Sequence, residues 1–214
     1  GYGSKLHIID IKDPENLTQI SELALSGDNR GISGKGNIVY VVTDDSSATT
    51  LYSIDISNPA TPGILETFTT ITDIPNDLEI QGNLLYLVTD TTDKLHIIDV
   101  TDPTNMGILS STAIPSPVSM YLQGEYIYIM TSGSTTVGLS VYDITDPLSV
   151  TLVDNTNPGS TLGEHSDVIG SGKYIYTTRV NQMDLEIYNI EGSSFQAMHV
   201  GGLEVNQLHV KENC

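Results

Sequence analysis

Cysteine is all but missing from this chain. The only one, Cys214, is the last residue, so no internal disulfide can form and no multi-cysteine zinc site can be assembled. Basic residues are scarce as well: 8 Lys and Arg stand against 27 Asp and Glu, giving a formal charge of −19 at pH 7. Nucleic acid phosphates and anionic bilayers repel such a surface, so nucleic acid is excluded as a partner. No apolar run approaches the roughly 18 residues of a membrane span, and the chain opens with neither a basic n-region nor an apolar h-region. Membrane insertion is therefore not expected, and the partner should be neutral, cationic or bridged by a metal. An initiator Met is absent too, so Gly1 is read as the start of a mature or excised segment. Abundant Ser and Thr with little Lys point to an extracellular or cell-surface location.

What the chain does have is a repeat. LHIIDI at 6–11, LYSIDI at 51–56, LHIIDV at 95–100, LSVYDI at 139–144 and LEIYNI at 185–190 follow one another at intervals of about 44 residues, anchored by Asp10, Asp55, Asp99, Asp143 and Asn189. Ahead of four of these anchors stands a second recurring element: GNIVYVVT from Gly36, GNLLYLVT from Gly82, GEYIYIMT from Gly124 and GKYIYTTR from Gly172.

Within one repeat the order is a short segment such as DLEIQ, a Gly-Asn type turn, LLYLVT, a polar loop, LHIIDV, a DP turn and a last segment such as GILSSTAI. Gly-Asn between apolar runs favours a tight hairpin, and the Tyr, Val and Ile content is that of strands. The two middle runs are almost continuously apolar, as strands covered on both faces should be. Four short strands in about 44 residues, repeated with no helical period, predict an all-β propeller of four-stranded blades. The reading is about five repeats in one propeller domain or segment spanning residues 1–214. Tyr40, Tyr86, Tyr128 and Tyr176 should hold equivalent places on second strands.

The strand-and-turn units IIDIKDP, SIDISNP, IIDVTDP and VYDITDP resemble the LVIVD repeat of bacterial and archaeal β-propellers. The resemblance covers essentially the whole chain. It implies an exported or surface-anchored binding module and supplies no catalytic residues; the fifth copy, IYNIEGSSF, departs from the pattern by lacking the Pro.

Alignment of the repeats sets KLHIIDI at 5–11 as the third strand of a blade and NQLHVK at 206–211 as an innermost strand, with no segment for the second strand between them. The expectation is that further blades of a longer parent chain, or a strand from a neighbouring subunit, meet these ends, because a gap inside a sheet leaves unpaired edges.

Candidate sites follow from the same alignment. The DP turns pair Asp10 with Asp13, Asp55 with Asn58, Asp99 with Asp102 and Asp143 with Asp146. Such carboxylates could chelate calcium, but Asp or Asn before Pro also initiates a turn, and recurrence in blade after blade favours the structural role. No cofactor or resident metal is expected. Ligands of propellers usually bind at one mouth of the channel, on loops leading into the innermost strands. Those positions differ from blade to blade: Arg30, Asn76 with Asp77, Ser119, Asp167 and Asn206. The most irregular loop, Asn157–Asp167, adds Glu164 and His165, with Arg179 on the same blade; a Glu, His and Asp group can bind metal or exchange protons.

No Ser on a strand-to-helix turn and no Cys supported by His is present. The leading expectation is a non-enzymatic module binding a protein or glycan at the mouth. One alternative is a polysaccharide hydrolase or lyase using Asp77, Glu164, His165 and Asp167, with Asp77 and Asp167 as its facing carboxylates. The other is a structural repeat of a surface layer or filament that works through edges and outer faces.

Overall fold

A computed structural model of the chain describes residues 4–45, 49–132, 138–156, 165–179, 184–190 and 197–200. Three complete meanders come first to attention: β3 (Asp28–Lys35), β4 (Ile38–Asp44), β5 (Thr49–Asp55) and β6 (Gly63–Phe68); β7 (Pro75–Gln81), β8 (Leu84–Thr89), β9 (Lys94–Asp99) and β10 (Gly107–Ala113); and β11 (Pro117–Gln123), β12 (Tyr126–Thr131), β13 (Gly138–Asp143) and β14 (Thr151–Thr156). A fourth comprises β15 (His165–Ser171), β16 (Tyr174–Arg179), β17 (Asp184–Asn189) and β18 (Ala197–Val200). Each is a four-stranded antiparallel sheet in chain order. Ahead of them β1 (Ser4–Asp10) and β2 (Thr18–Leu25) form a two-stranded sheet. The expected four-strand blade is thus the repeating unit.

The first hairpin of each full blade turns through a glycine with positive φ: Gly36 at 61°, Gly82 at 63°, Gly124 at 63° and Gly172 at 61°. A side chain there would strain the backbone, which is why the turn demands this residue. Because the turn fixes the register, the tyrosine four residues on falls on the same rung every time. Tyr40 pairs with Ser33, Tyr86 with Glu79, Tyr128 with Tyr121 and Tyr176 with Ile169. The four tyrosines are equivalent, as the repeat requires.

The core lies between sheets rather than inside any one of them. Tyr40, Val42 and Leu51 of one blade pack on Leu78, Leu85 and Ile98 of the next. Tyr86, Val88, Leu95 and Ile97 pack in turn on Met120, Ile127 and Ile129, and Tyr128, Met130 and Val141 on Val168, Ile175 and Tyr188. Alternate residues of a middle strand therefore serve opposite interfaces, which explains their unbroken apolar runs.

The DP turns are local devices. The carboxylate of Asp10, Asp55, Asp99 and Asp143 accepts from the backbone N–H two residues on, at 2.8 to 2.9 Å. Asp13, Asn58, Asp102 and Asp146, each just before a Pro, accept in the same way from the N–H of the residue beyond it. The turns also tie blade to blade: Ser21 donates to the Pro59 carbonyl, Ser53 to that of Pro103 and Ser110 to that of Pro147. Residues 206–211 of the end alignment, and residues 191–196 of the fifth turn, lie outside the described residues.

Candidate functional site at the innermost strands

The innermost strands β3, β7, β11 and β15 share one irregularity near their first residues. The register against the second strand slips by one at the same place, leaving Arg30, Asn76, Val118 and Ser166 without a rung. This is a β-bulge, in which one extra residue faces none on the partner strand and redirects the chain. The sequence-nominated positions thus share one backbone feature. Their next residues, Gly31, Asp77, Ser119 and Asp167, are likewise equivalent.

Their side chains do different things. Arg30 is partly exposed and donates to Asp44 on its own blade at 2.9 Å, Asp44 being buried. With Lys5, Leu6, His7, Asn29 and Ile32 it lines a recess of about 270 Å³. Asn76 donates to the Pro117 carbonyl on the next blade at 2.7 Å. Asp77 accepts from Leu78 N and, across the blade boundary, from Met120 N, both at 2.8 Å. Two rungs on, Glu79 accepts from Leu122 N at 3.0 Å.

These two carboxylates seal the seam between innermost strands. Burial holds both above the usual carboxylate range, Glu79 at about 7, and the negative charge of Asp167 adds to the rise at Asp77. Asp167 is exposed and accepts from Val168 N at 2.9 Å. Ser119, on the blade between them, is 5% exposed, and its hydroxyl has no hydrogen-bond partner among the described residues.

Glu164 and Asn206, and the side chains of His165 and Arg179, lie outside the described residues. Among the described residues no three His, Cys, Asp or Glu side chains gather as a metal site.

Sequence reasoning missed two features. One is Glu79, hidden because an acidic residue alternating with apolar ones in DLEIQ reads as the wet face of a strand; the face is in fact the next blade's seam. The other is a belt on the outermost strands. Each of β2, β6, β10 and β14 is bulged at Ile20, Leu65, Leu109 and Val153 respectively. All four are exposed, as are the adjoining Ile64, Ile108 and Leu152. The recurring apolar pair after the DP turn is the signal that could have revealed it.

Comparison with known proteins agrees with this geometry. Residues 26–70 and 75–113 match the LVIVD repeat. No curated protein matches the sequence. Among solved structures, a Lactobacillus plantarum protein aligns over 91% of this chain and 62% of its own, with 11% identity and a TM-score of 0.75. The β-propeller domain of Myceliophteria thermophila Cps50 (Swd1) aligns over 92% of this chain and 66% of its own, with 15% identity and a TM-score of 0.71. The periplasmic gluconolactonase of Pseudomonas aeruginosa aligns over 87% and 61%, with 11% identity and a TM-score of 0.69. The chain spans less than two thirds of the length of these structures, and at such identities the likeness is one of fold. Blade topology and fold likeness agree that the chain has a β-propeller fold, and residues 26–70 and 75–113 of it match the LVIVD repeat.

Proposed function

We propose that this chain is a non-enzymatic binding module, extracellular or at the cell surface, that recognises a protein or glycan at the mouth formed by the loops leading into its innermost strands. One observation carries the reading. At a bulge that the backbone repeats blade after blade, the residue changes from Arg30 to Asn76 to Val118 to Ser166. A scaffold position held constant in geometry and varied in chemistry suits recognition of an irregular partner. The described inner-strand carboxylates Asp77 and Glu79 are engaged by backbone amides of the neighbouring blade, which supports binding over proton-transfer chemistry.

The test is retention of the whole chain on a glycan array and on immobilised extracellular proteins. Arg30→Ala and Asp167→Asn should each weaken a retained partner by about tenfold or more, as central interface residues do. The turn variant Asp99→Ala should not. Polysaccharide cleavage lost in Asp77→Asn or Asp167→Asn would instead establish the hydrolase or lyase reading.

A second reading rests on the outer belt. Exposed apolar pairs repeated on successive blades suit lateral packing in a surface layer or filament. Sedimentation of the chain against Leu109→Lys tests it: concentration-dependent assembly abolished by the substitution supports a structural role, and a monomer throughout removes it.

A further inference from the structure

Asn16, Leu17 and Thr18 form the one Asn-x-Ser/Thr triplet, with x other than Pro, in the 214 residues. This is the acceptor sequence for an N-linked glycan. The triplet closes the first DP turn and opens an outermost strand. Asn16 N donates to Asp13 O at 3.1 Å, and Thr18 is the first residue of β2.

The repeat shows how this turn presents its side chains. Thr61, Asn105 and Ser149 are equivalent to Asn16, each donating its N–H to the carbonyl three residues back at 3.0 Å. All four residues are exposed. The following position lies deeper: where the first turn has Leu17, the later ones have Pro62, Met106 and Val150, of which Met106 is 5% exposed and Val150 is packed against a blade core. One residue further, Thr18 is exposed and so is its equivalent Thr151. The second and third blades have a neighbour on both sides, so the outward aim of Asn16 belongs to the turn and not to its place in the chain. Among the described residues neither the Asn16 side-chain amide nor the Thr18 hydroxyl makes a hydrogen bond. Both groups are free for an enzyme to engage.

We propose that Asn16 is a modification site, the acceptor of an N-linked glycan. The inference rests on the extracellular part of the reading above, because such triplets are glycosylated on the surface loops of secreted proteins. In the transfer, Asn16 Nδ2 attacks C1 of the first sugar of a polyprenyl-diphosphate-linked oligosaccharide. The N–C1 bond forms and the C1–O bond to the diphosphate breaks; the polyprenyl diphosphate leaves with the electron pair, and the amide proton passes to a base of the transferase. The glycan then stands at the start of β2, on the circumference beside the exposed Ile20. There it leaves the innermost strands open for recognition and opposes lateral packing through the first blade.

The test incubates the purified, folded chain with an archaeal single-subunit oligosaccharyltransferase and a polyprenyl-diphosphate oligosaccharide. Intact mass reads the attachment, and peptide mass after N-glycanase, which leaves a carboxylate at position 16, locates it. Because enzyme and chain are mixed in solution, the result does not depend on where the chain resides or what its mouth binds, so failure counts against this site alone. Asn16 should be modified in the native chain, modification should be lost in Thr18→Val, and it should be kept in Thr18→Ser. Gly107→Thr completes the same triplet on Asn105 in the equivalent turn of the second full blade, where an added Cβ meets nothing within 4 Å. That variant should gain a further glycan at Asn105. The inference is overturned if the folded chain gains no glycan under conditions that modify a control Asn-x-Thr peptide, or if attachment survives Thr18→Val. It is equally overturned if Gly107→Thr leaves Asn105 bare, since the turn is then not what presents the acceptor.

Discussion

At residues 94–99 the hexapeptide KLHIID is enclosed on every side: strands flank it, a blade lies against each face, and Leu95, Ile97 and Ile98 are fully buried. At residues 5–10 the same six residues form the same extended strand with one flanking partner among the described residues. Leu6 is half-buried, His7 is exposed, and Ile9 is 49% exposed. Strand formation is thus written in the hexapeptide, while burial is conferred by what stands beside it. A pattern of apolar residues states which face can be buried and leaves to the tertiary neighbours whether it is.

The largest test of this contrast is truncation of the shared leucine. Leu95→Ala should destabilise by about 2 to 5 kcal/mol, because it leaves a cavity in a closed core. Leu6→Ala should cost about half of that or less, since solvent can occupy the space. Urea unfolding of the two variants measures both; equal costs would mean that β1 is enclosed as β9 is.

The shared histidine gives the next contrast. His96 is buried with Nδ1 2.8 Å from the Ser111 hydroxyl, whereas His7 is exposed with Nδ1 3.1 Å from Gln19 Oε1. His96→Ala should cost about 1 to 3 kcal/mol and His7→Ala less than about 0.5 kcal/mol, by the same measurement.

A pH titration sharpens the picture of the enclosed copy. Burial, reinforced by the Lys94 charge, lowers the His96 pKa, and its Nε2 is buried without a hydrogen-bond partner among the described residues. The unfolded chain then takes up the proton first, so His96 contributes stability above about pH 6.5 that is lost as the pH falls. Glu79, on the inner strand of the same blade, works in the opposite direction. Its pKa is raised to about 7 from 4.5, so its protonated form stabilises the fold below about pH 4.5 and that stability is lost as the pH rises through about 7. Thermal melts should show acid destabilisation relieved in His96→Gln, and a neutral-pH penalty relieved in Glu79→Gln.

The smallest effect should be the most equal. Asp10 and Asp99 accept the same turn bond at 2.9 and 2.8 Å. Asp99→Ala should cost about 1 kcal/mol or less, and Asp10→Ala a similar amount, because the bond spans two residues and ignores the rest of the blade. Added calcium should raise neither melting temperature. A calcium-dependent rise abolished in Asp99→Ala would assign these carboxylates to chelation.

The same distinction decides what was legible in the sequence. Blade order, hairpin glycines, equivalent tyrosines and DP turns were all readable because each is fixed within a few residues or by the repeat. The bulge was not, since Arg30, Asn76, Val118 and Ser166 share no chemistry and only the ladder reveals their common place. Asn76 and Asp77 were readable as polar residues near the mouth; that they reach Pro117 O and Met120 N depends on contacts about 40 residues away in the chain. The close fit of Gly170 beneath Tyr121, where an added Cβ would lie 2.1 Å from the ring, belongs to the same class.

The bulges also bear on how this scaffold could be re-engineered. A residue that owes nothing to a rung can be exchanged, or joined by another, without shifting the hydrogen-bonded ladder that follows it. Among the described residues four such places sit on the inner strands and four on the outer. A library diversified at Arg30, Asn76, Val118 and Ser166 would vary one rim while the hairpin turns and blade cores stay as they are, and a second library at Ile20, Leu65, Leu109 and Val153 would vary the circumference independently.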